Sequence, residues 1–181
     1  MNTRDWLVQV AQYYRRNDFF EQYSHLSDEQ LADELESLRR EDECAGGQFR
    51  QRGDWEVIQY DHKRILTEDL DCLYGDDPGS YSFHHAVATI QKWASISRGI
   101  FQPVAIKDVG SYLIEFTFNG KQHTVDPWED PCKLAPQLNS LIVQTNYQFE
   151  IWNLYPTYLV TALTSDEKAK FKTERGWSFI K

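Results

Sequence analysis

The chain has few cysteines and no long apolar run. Its three cysteines, Cys44, Cys72 and Cys132, are irregularly spaced and form no Cys-x-x-Cys pair. This number and spacing predict neither a disulfide framework nor a zinc ribbon. No stretch approaches the ~20 apolar residues of a membrane span, and the first residues contain no apolar segment of signal-peptide length. We therefore expect a cytoplasmic protein.

The sequence also lacks the signatures of common catalytic and nucleotide-binding sites. It contains no Gly-x-Ser-x-Gly, no Gly-x-Gly-x-x-Gly, no glycine-rich phosphate loop and no His-Glu-x-x-His. These motifs place a nucleophile, a phosphate or a metal in a defined local structure. Without them, no residue is marked as catalytic, and we expect neither a metal nor another cofactor.

Positive charge is in the minority. The chain has 28 acidic residues against 19 Lys and Arg, a formal net charge of −9 and a pI of about 5.0. A field of this sign repels phosphate backbones and anionic lipids, so we expect neither a nucleic-acid partner nor a membrane partner. It attracts basic proteins. The alternative is that the acidity only keeps the protein soluble.

The composition is that of a folded protein. Hydrophobic residues make up 41% of the 181 residues and aromatic residues 14%, enough for a substantial core. We predict an N-terminal helical segment, residues 1–43, and an α+β core domain, residues 54–181, which together form one compact unit. Residues 41–53 contain Gly46-Gly47 and are predicted to be a flexible linker.

Two helices are predicted in the N-terminal segment. Residues 4–14 place apolar side chains on one helical face, and Asn2 or Thr3 can cap this helix. Ser27 begins the second helix, because Ser27 and Gln30 have the spacing of a capping box.

A β-hairpin is predicted between Tyr112 and Val125. Apolar and polar residues alternate before Asn119-Gly120, a pair that favours a two-residue type I′ turn. The register of such a hairpin pairs Phe116 with His123.

The remaining elements predict an α+β fold, with an antiparallel sheet built from hairpins and helices packed on one face. A second hairpin is predicted from residues 55–60 and 65–66, although Trp55, Ile58 and Ile65 could also lie on a helix. The other predicted elements are helices over 81–98 and from 131 to 145, strands at 147–151 and 158–163, and a final helix with a Thr164–Glu167 capping box.

Two acidic segments are the candidate binding residues. They comprise Glu41, Asp42 and Glu43, and then Glu68, Asp69, Asp71, Asp76 and Asp77. The second segment has three possible roles: a solvated loop, a partner-binding surface, or a Ca²⁺ or Mg²⁺ site. Its spacing does not match an EF-hand loop.

Three histidines, His84, His85 and His123, are candidates for acid–base chemistry. Adjacent helical residues diverge by about 100°, so His84 and His85 cannot face one metal. One of them beside Asp76 or Asp77 could act as a general base. The hairpin register places His123 on the apolar face, where a structural histidine is the simpler interpretation.

Three stretches resemble features of small stand-alone bacterial proteins of uncharacterised function: residues 93–99 (WASISRG), 118–123 (FNGKQH) and 175–177 (RGW). In size, acidity and lack of catalytic motifs, the chain also resembles immunity proteins of bacterial toxin systems. This resemblance implies a non-enzymatic inhibitor that covers a basic toxin with an acidic surface. The alternatives are a small enzyme using His84, His85 or His123 with neighbouring carboxylates, and a structural or regulatory module of a larger assembly.

Overall fold

The computed structural model describes residues 2–41, 48–69, 84–111, 113–127, 131–154 and 157–180, and of Asp69, His84 and His85 it describes the backbone alone. The chain divides into two compact units, Met1–Ile65 and Leu66–Lys181. Residues 54–65, which we expected in the core domain, therefore belong to the same unit as the N-terminal helices.

The first unit is helical. Its helices are α1 (Thr3–Arg15), α2 (Asp28–Glu41) and α3 (Trp55–Ile58). Both predicted starts are confirmed: the Asn2 side chain accepts a hydrogen bond from the Asp5 amide, and Ser27 and Gln30 bond reciprocally. Apolar residues of α1 and α2 are buried against each other in the core of this unit.

The predicted strand at residues 55–60 is wrong. Trp55–Ile58 forms a helical turn, in which the Asp54 carbonyl accepts hydrogen bonds from the amides of Val57 and Ile58. A short apolar stretch is compatible with a strand or with a helix. Here the contacts of the polar residue Asp54 favour the helical turn. Asp54 accepts a hydrogen bond of 2.9 Å from the Tyr14 hydroxyl, which fixes the turn against α1.

Glu56 also holds the end of the predicted linker. Its carboxylate is fully buried and accepts hydrogen bonds from the backbone amides of Arg50, at 2.7 Å, and Arg52, at 2.5 Å. Phe49 is buried beside them. Residues 48–53 are thus fixed to the first unit, whereas 42–47 lie outside the described residues.

Two further buried polar side chains, Asp61 and Arg64, fix the turn after α1. Asp18 and Phe20 both have positive φ, 61° and 60°, a conformation that L-residues seldom adopt. The Arg64 guanidinium donates to the Asp18 carbonyl at 2.9 Å, and the Asp61 carboxylate accepts from the Phe20 amide at 2.6 Å. These bonds offset the strain of the turn.

The second unit contains two three-stranded antiparallel sheets, with strand orders β1-β6-β5 and β2-β3-β4. The elements in chain order are β1 (Leu66–Asp69), α4 (His84–Ser95), β2 (Val104–Gly110), β3 (Leu113–Phe118), β4 (Lys121–Val125), α5 (Pro131–Leu141), β5 (Tyr147–Leu154), β6 (Thr157–Thr164) and α6 (Ser165–Arg175). Apolar side chains from both sheets, α4 and α5 form one hydrophobic core.

The predicted hairpin is confirmed. It comprises β3 and β4, joined by Asn119-Gly120 with φ values of 50° and 72°, as a type I′ turn requires. Phe116 pairs with His123, the register that the sequence predicts. The neighbouring strand β2 was missed; none of its residues is fully buried, and its pairing with β3 contains two register shifts.

Strand β6 is the middle strand of its sheet. Its residues from Tyr158 to Leu163 are all buried, because the main core covers one face of the strand and α6 packs against it as well. The predicted capping box of α6 is confirmed, with hydrogen bonds in both directions between Thr164 and Glu167.

The α+β fold class, the antiparallel pairing and the N-terminal helix pair are therefore confirmed. Within the described part of the chain, no helix combines the length and the apolar character needed to cross a membrane.

Candidate functional site

The structure describes only part of the second predicted acidic segment. Asp71, Asp76 and Asp77 lie outside the described residues, as does the side chain of Asp69. Glu68 lies on β1 opposite Tyr158 and is 8% exposed, so it belongs to a strand and not to the solvated loop that we considered. Burial raises the pKa of the Glu68 carboxyl, and the positive charge of Lys92 opposes this rise in part.

The first predicted acidic segment is also partly described. Glu41 is exposed at the end of α2, where the Ser37 hydroxyl donates a hydrogen bond of 3.4 Å to it. Asp42 and Glu43 lie outside the described residues. The binding role of both segments remains a prediction.

Helix α2 carries more exposed acid than the predicted residues alone. Its exposed carboxylates, which we call the α2 acidic face, are Glu29, Asp33, Glu34 and Glu41. Residues four apart on a helix are neighbours, so Glu29 and Asp33 lie side by side on this face. Like charges at this spacing destabilise a helix slightly unless other charges compensate them.

Arginines compensate part of the negative charge of α2. Arg4 of α1 pairs with Asp33 at 3.1 Å, and Arg15 of α1 pairs with Asp28 at 2.8 Å. These two bridges connect α2 to α1. The ion pairs of the described residues include neither Glu34 nor Glu41.

The histidines do not form a described acid–base site. The ring of His123 packs against Phe116 and Phe118, with centroid distances of 6.0 and 6.4 Å. This agrees with the structural interpretation of His123. The side chains of His84 and His85 lie outside the described residues, so their convergence with a carboxylate remains a prediction.

A cleft at the outer edge of β5 was not predicted from the sequence. It has a volume of about 260 Å³ and lies between α5, β5, Lys168 of α6 and Ile180. Glu150 on its wall is 6% exposed and forms an ion pair of 2.6 Å with Lys168. Because Glu150 and Lys168 neutralise each other, the cleft presents an ion pair and not a single unpaired charge.

The chain itself occupies the backbone groups along this edge. The Asn139 side chain donates to the Phe149 carbonyl at 3.0 Å and accepts from the Phe149 amide at 2.7 Å. Further along, the Ile180 amide donates to the Ile151 carbonyl at 2.9 Å. An added strand would have to displace both contacts.

The cleft could not be found from local sequence signals. Its walls come from α5, β5, α6 and the segment after α6, which are brought together only by the fold. The one weak signal is the pair Glu150 and Lys168, a carboxylate within a strand and a lysine in the following helix.

Among the described residues, no three His, Cys, Asp or Glu side chains come close enough to hold a metal ion. In comparisons with known proteins, no family model, no curated protein and no solved structure matches the chain.

Proposed function

We propose that the protein is a non-enzymatic binding protein that recognises a basic protein through the α2 acidic face. The observation that carries this proposal is the exposure of Glu29, Asp33, Glu34 and Glu41 on one helix. A finer form of the proposal is that the partner is a bacterial toxin whose basic active site this surface covers.

The support for α2 as the binding element is its rigidity. The Ser27–Gln30 capping box fixes its start, the buried Leu31 and Leu35 anchor its inner face, and bridges from Arg4 and Arg15 hold it to α1. A helix that is already ordered loses little conformational entropy on binding.

Electrostatics supports the choice of a basic partner. Exposed carboxylates on a protein of formal net charge −9 accelerate the encounter with a positively charged surface. Charges at the rim of an interface mainly change the association rate and its salt dependence. A partner bound in this way should therefore associate faster at low salt.

The test uses purified basic proteins encoded by neighbouring genes, with binding measured by biolayer interferometry at several salt concentrations. The variant Glu34→Gln/Glu41→Gln should slow association about two- to fivefold per removed charge and reduce the salt dependence. The control Asp166→Asn/Glu174→Gln removes two exposed charges from α6 and should have a smaller effect.

Two results would contradict the proposal: no neighbouring gene product binds, or a bound partner is insensitive both to salt and to the α2 substitutions. The finer form requires one further measurement, in which the protein inhibits the enzymatic activity of the bound partner at stoichiometric concentration. Binding without inhibition would support the proposal of a binding protein and contradict its finer form, the toxin inhibitor.

The alternative of a small enzyme needs His84, His85 or His123 beside a carboxylate. The packing of His123 against two phenylalanine rings does not favour it. The third alternative, a module of a larger assembly, would be favoured by a large exposed apolar patch. The large apolar residues that are exposed in the described part of the chain are few and separate in sequence: Val104, Val109, Val143 and Ile180.

A further inference from the structure

Strand β1 is a short edge strand. It has four residues, Leu66–Asp69, and among the described strands it pairs with β6 alone. Its register places Glu68 opposite Tyr158, a residue of the main hydrophobic core. The carboxyl of Glu68 therefore points toward the apolar side of the sheet.

Glu68 is poorly solvated in this position. It is 8% exposed, and its buried Oε1 atom has no hydrogen-bond partner in the part of the chain that the structure describes. Among the described residues, the groups that face it from the neighbouring elements are Tyr158 of β6 and the exposed Lys92 of α4, whose charge acts on it from a distance. A neutral carboxylic acid suits this environment far better than a carboxylate does.

We propose that Glu68 holds a proton in the folded protein and that loss of this proton releases β1 from β6, making the attachment of β1 pH-dependent. The paired and the released states of β1 favour different protonation forms of Glu68. The paired state buries Glu68 and favours the acid, whereas the released state exposes it to water and favours the carboxylate.

The direction of the pH effect follows from linkage. Burial raises the pKa of Glu68 above its ordinary value of 4.5. The attachment of β1 is therefore strongest below pH 4.5 and weakens as the pH rises through the folded-state pKa. Between pH 4.5 and the folded-state pKa of Glu68, the ratio of released to attached β1 rises tenfold per pH unit. Above the folded-state pKa this ratio becomes constant.

The test is hydrogen exchange of the full-length protein by NMR between pH 4 and 9, with protection factors corrected for the intrinsic pH dependence of exchange. Protection of the β1 amides should fall with rising pH, while the amides of the β3–β4 hairpin stay unchanged. A carbon-detected titration of Glu68 in the same samples should give a midpoint above the ordinary value.

Two variants serve as controls. Glu68→Gln mimics the protonated acid, so its β1 protection should be high and independent of pH. Glu115→Gln removes a carboxyl of the other sheet, whose pKa is lowered by Lys107 and Gln122, and should leave the pH dependence of β1 intact.

The proposal is overturned if Glu68 titrates at or below its ordinary pKa, or if it titrates higher while β1 protection does not follow the titration. It is also overturned if Glu68→Gln retains the pH dependence of the unmodified protein. The titration and exchange of the unmodified protein decide the question even if the variant folds poorly. The outcome is independent of whether a basic protein binds to α2.

Discussion

Replacing Glu56 with Gln tests the polar interior of the first unit most directly. The Glu56 carboxylate accepts two backbone hydrogen bonds, from Arg50 and Arg52, and forms an ion pair of 3.8 Å with Arg39. The side chains of Glu56 and Arg39 are 1% and 7% exposed, so water replaces these contacts poorly. A glutamine can keep one of the two hydrogen bonds, because its amide group has a single acceptor oxygen.

The magnitude can be worked out from these contacts. Losing a hydrogen bond to a charged group costs about 1.5–3 kcal/mol, and removing one partner of a buried ion pair costs about 3–5 kcal/mol in all. Arg39 retains a hydrogen bond to the Gln48 carbonyl and its position over the Phe49 ring, which moderates the loss. We therefore expect a loss of about 3 kcal/mol, a large part of the 5–15 kcal/mol that stabilises a typical protein.

Hydrogen exchange of the α1 and α2 amides within the full chain measures this change. A loss of about 3 kcal/mol lowers their protection roughly a hundredfold. The control is Glu36→Gln, the same substitution in the same unit. Glu36 pairs with Arg40, which is 71% exposed, and exposed pairs contribute at most about 1 kcal/mol.

The reasoning is refuted if Glu56→Gln lowers the protection no more than Glu36→Gln does. A double-mutant cycle with Arg39→Met separates the contribution of the ion pair from that of the two backbone hydrogen bonds. If the ion pair dominates, Arg39→Met should offset part of the effect of Glu56→Gln. If the backbone hydrogen bonds dominate, the two effects should add.

Two further substitutions test local features of the second unit. Thr164→Ala removes half of the α6 capping box and should destabilise the helix start by about 1 kcal/mol, seen as faster exchange in its first turn. Asn139→Ala leaves the Phe149 amide and carbonyl without their side-chain partners, and should lower the free energy of unfolding in urea by about 1–3 kcal/mol. A change below about 0.5 kcal/mol in the second case would mean that water replaces the amide at the edge of β5.

The parts of the fold that depend on neighbouring residues could be predicted. The Asn119-Gly120 turn determines the register of a hairpin whose strands lie next to it, and each of the two capping boxes spans only four residues. The turn at Trp55–Ile58 could not be predicted in this way. Its conformation depends on contacts of Asp54 and Glu56 with other parts of the first unit.

The candidate site was less predictable than the fold. Sequence shows where carboxylates lie along the chain but not which of them face water. Glu68 follows three apolar or neutral residues and precedes further acids, yet pairing with a strand far along the chain buries it. The exposed acid of α2 was predictable, because a helix with a narrow apolar stripe must present its remaining residues to solvent.

The central position of β6 has a consequence for synthesis on the ribosome. Its partner β1 is made early and must wait for β6, whereas the β3–β4 hairpin can close as soon as its two strands have emerged. During that interval Leu66 and Glu68, the residues that β1 turns toward the core, have no sheet to join and stay exposed to water. Slowing translation before Thr157 should therefore lengthen the time for which these two side chains are exposed.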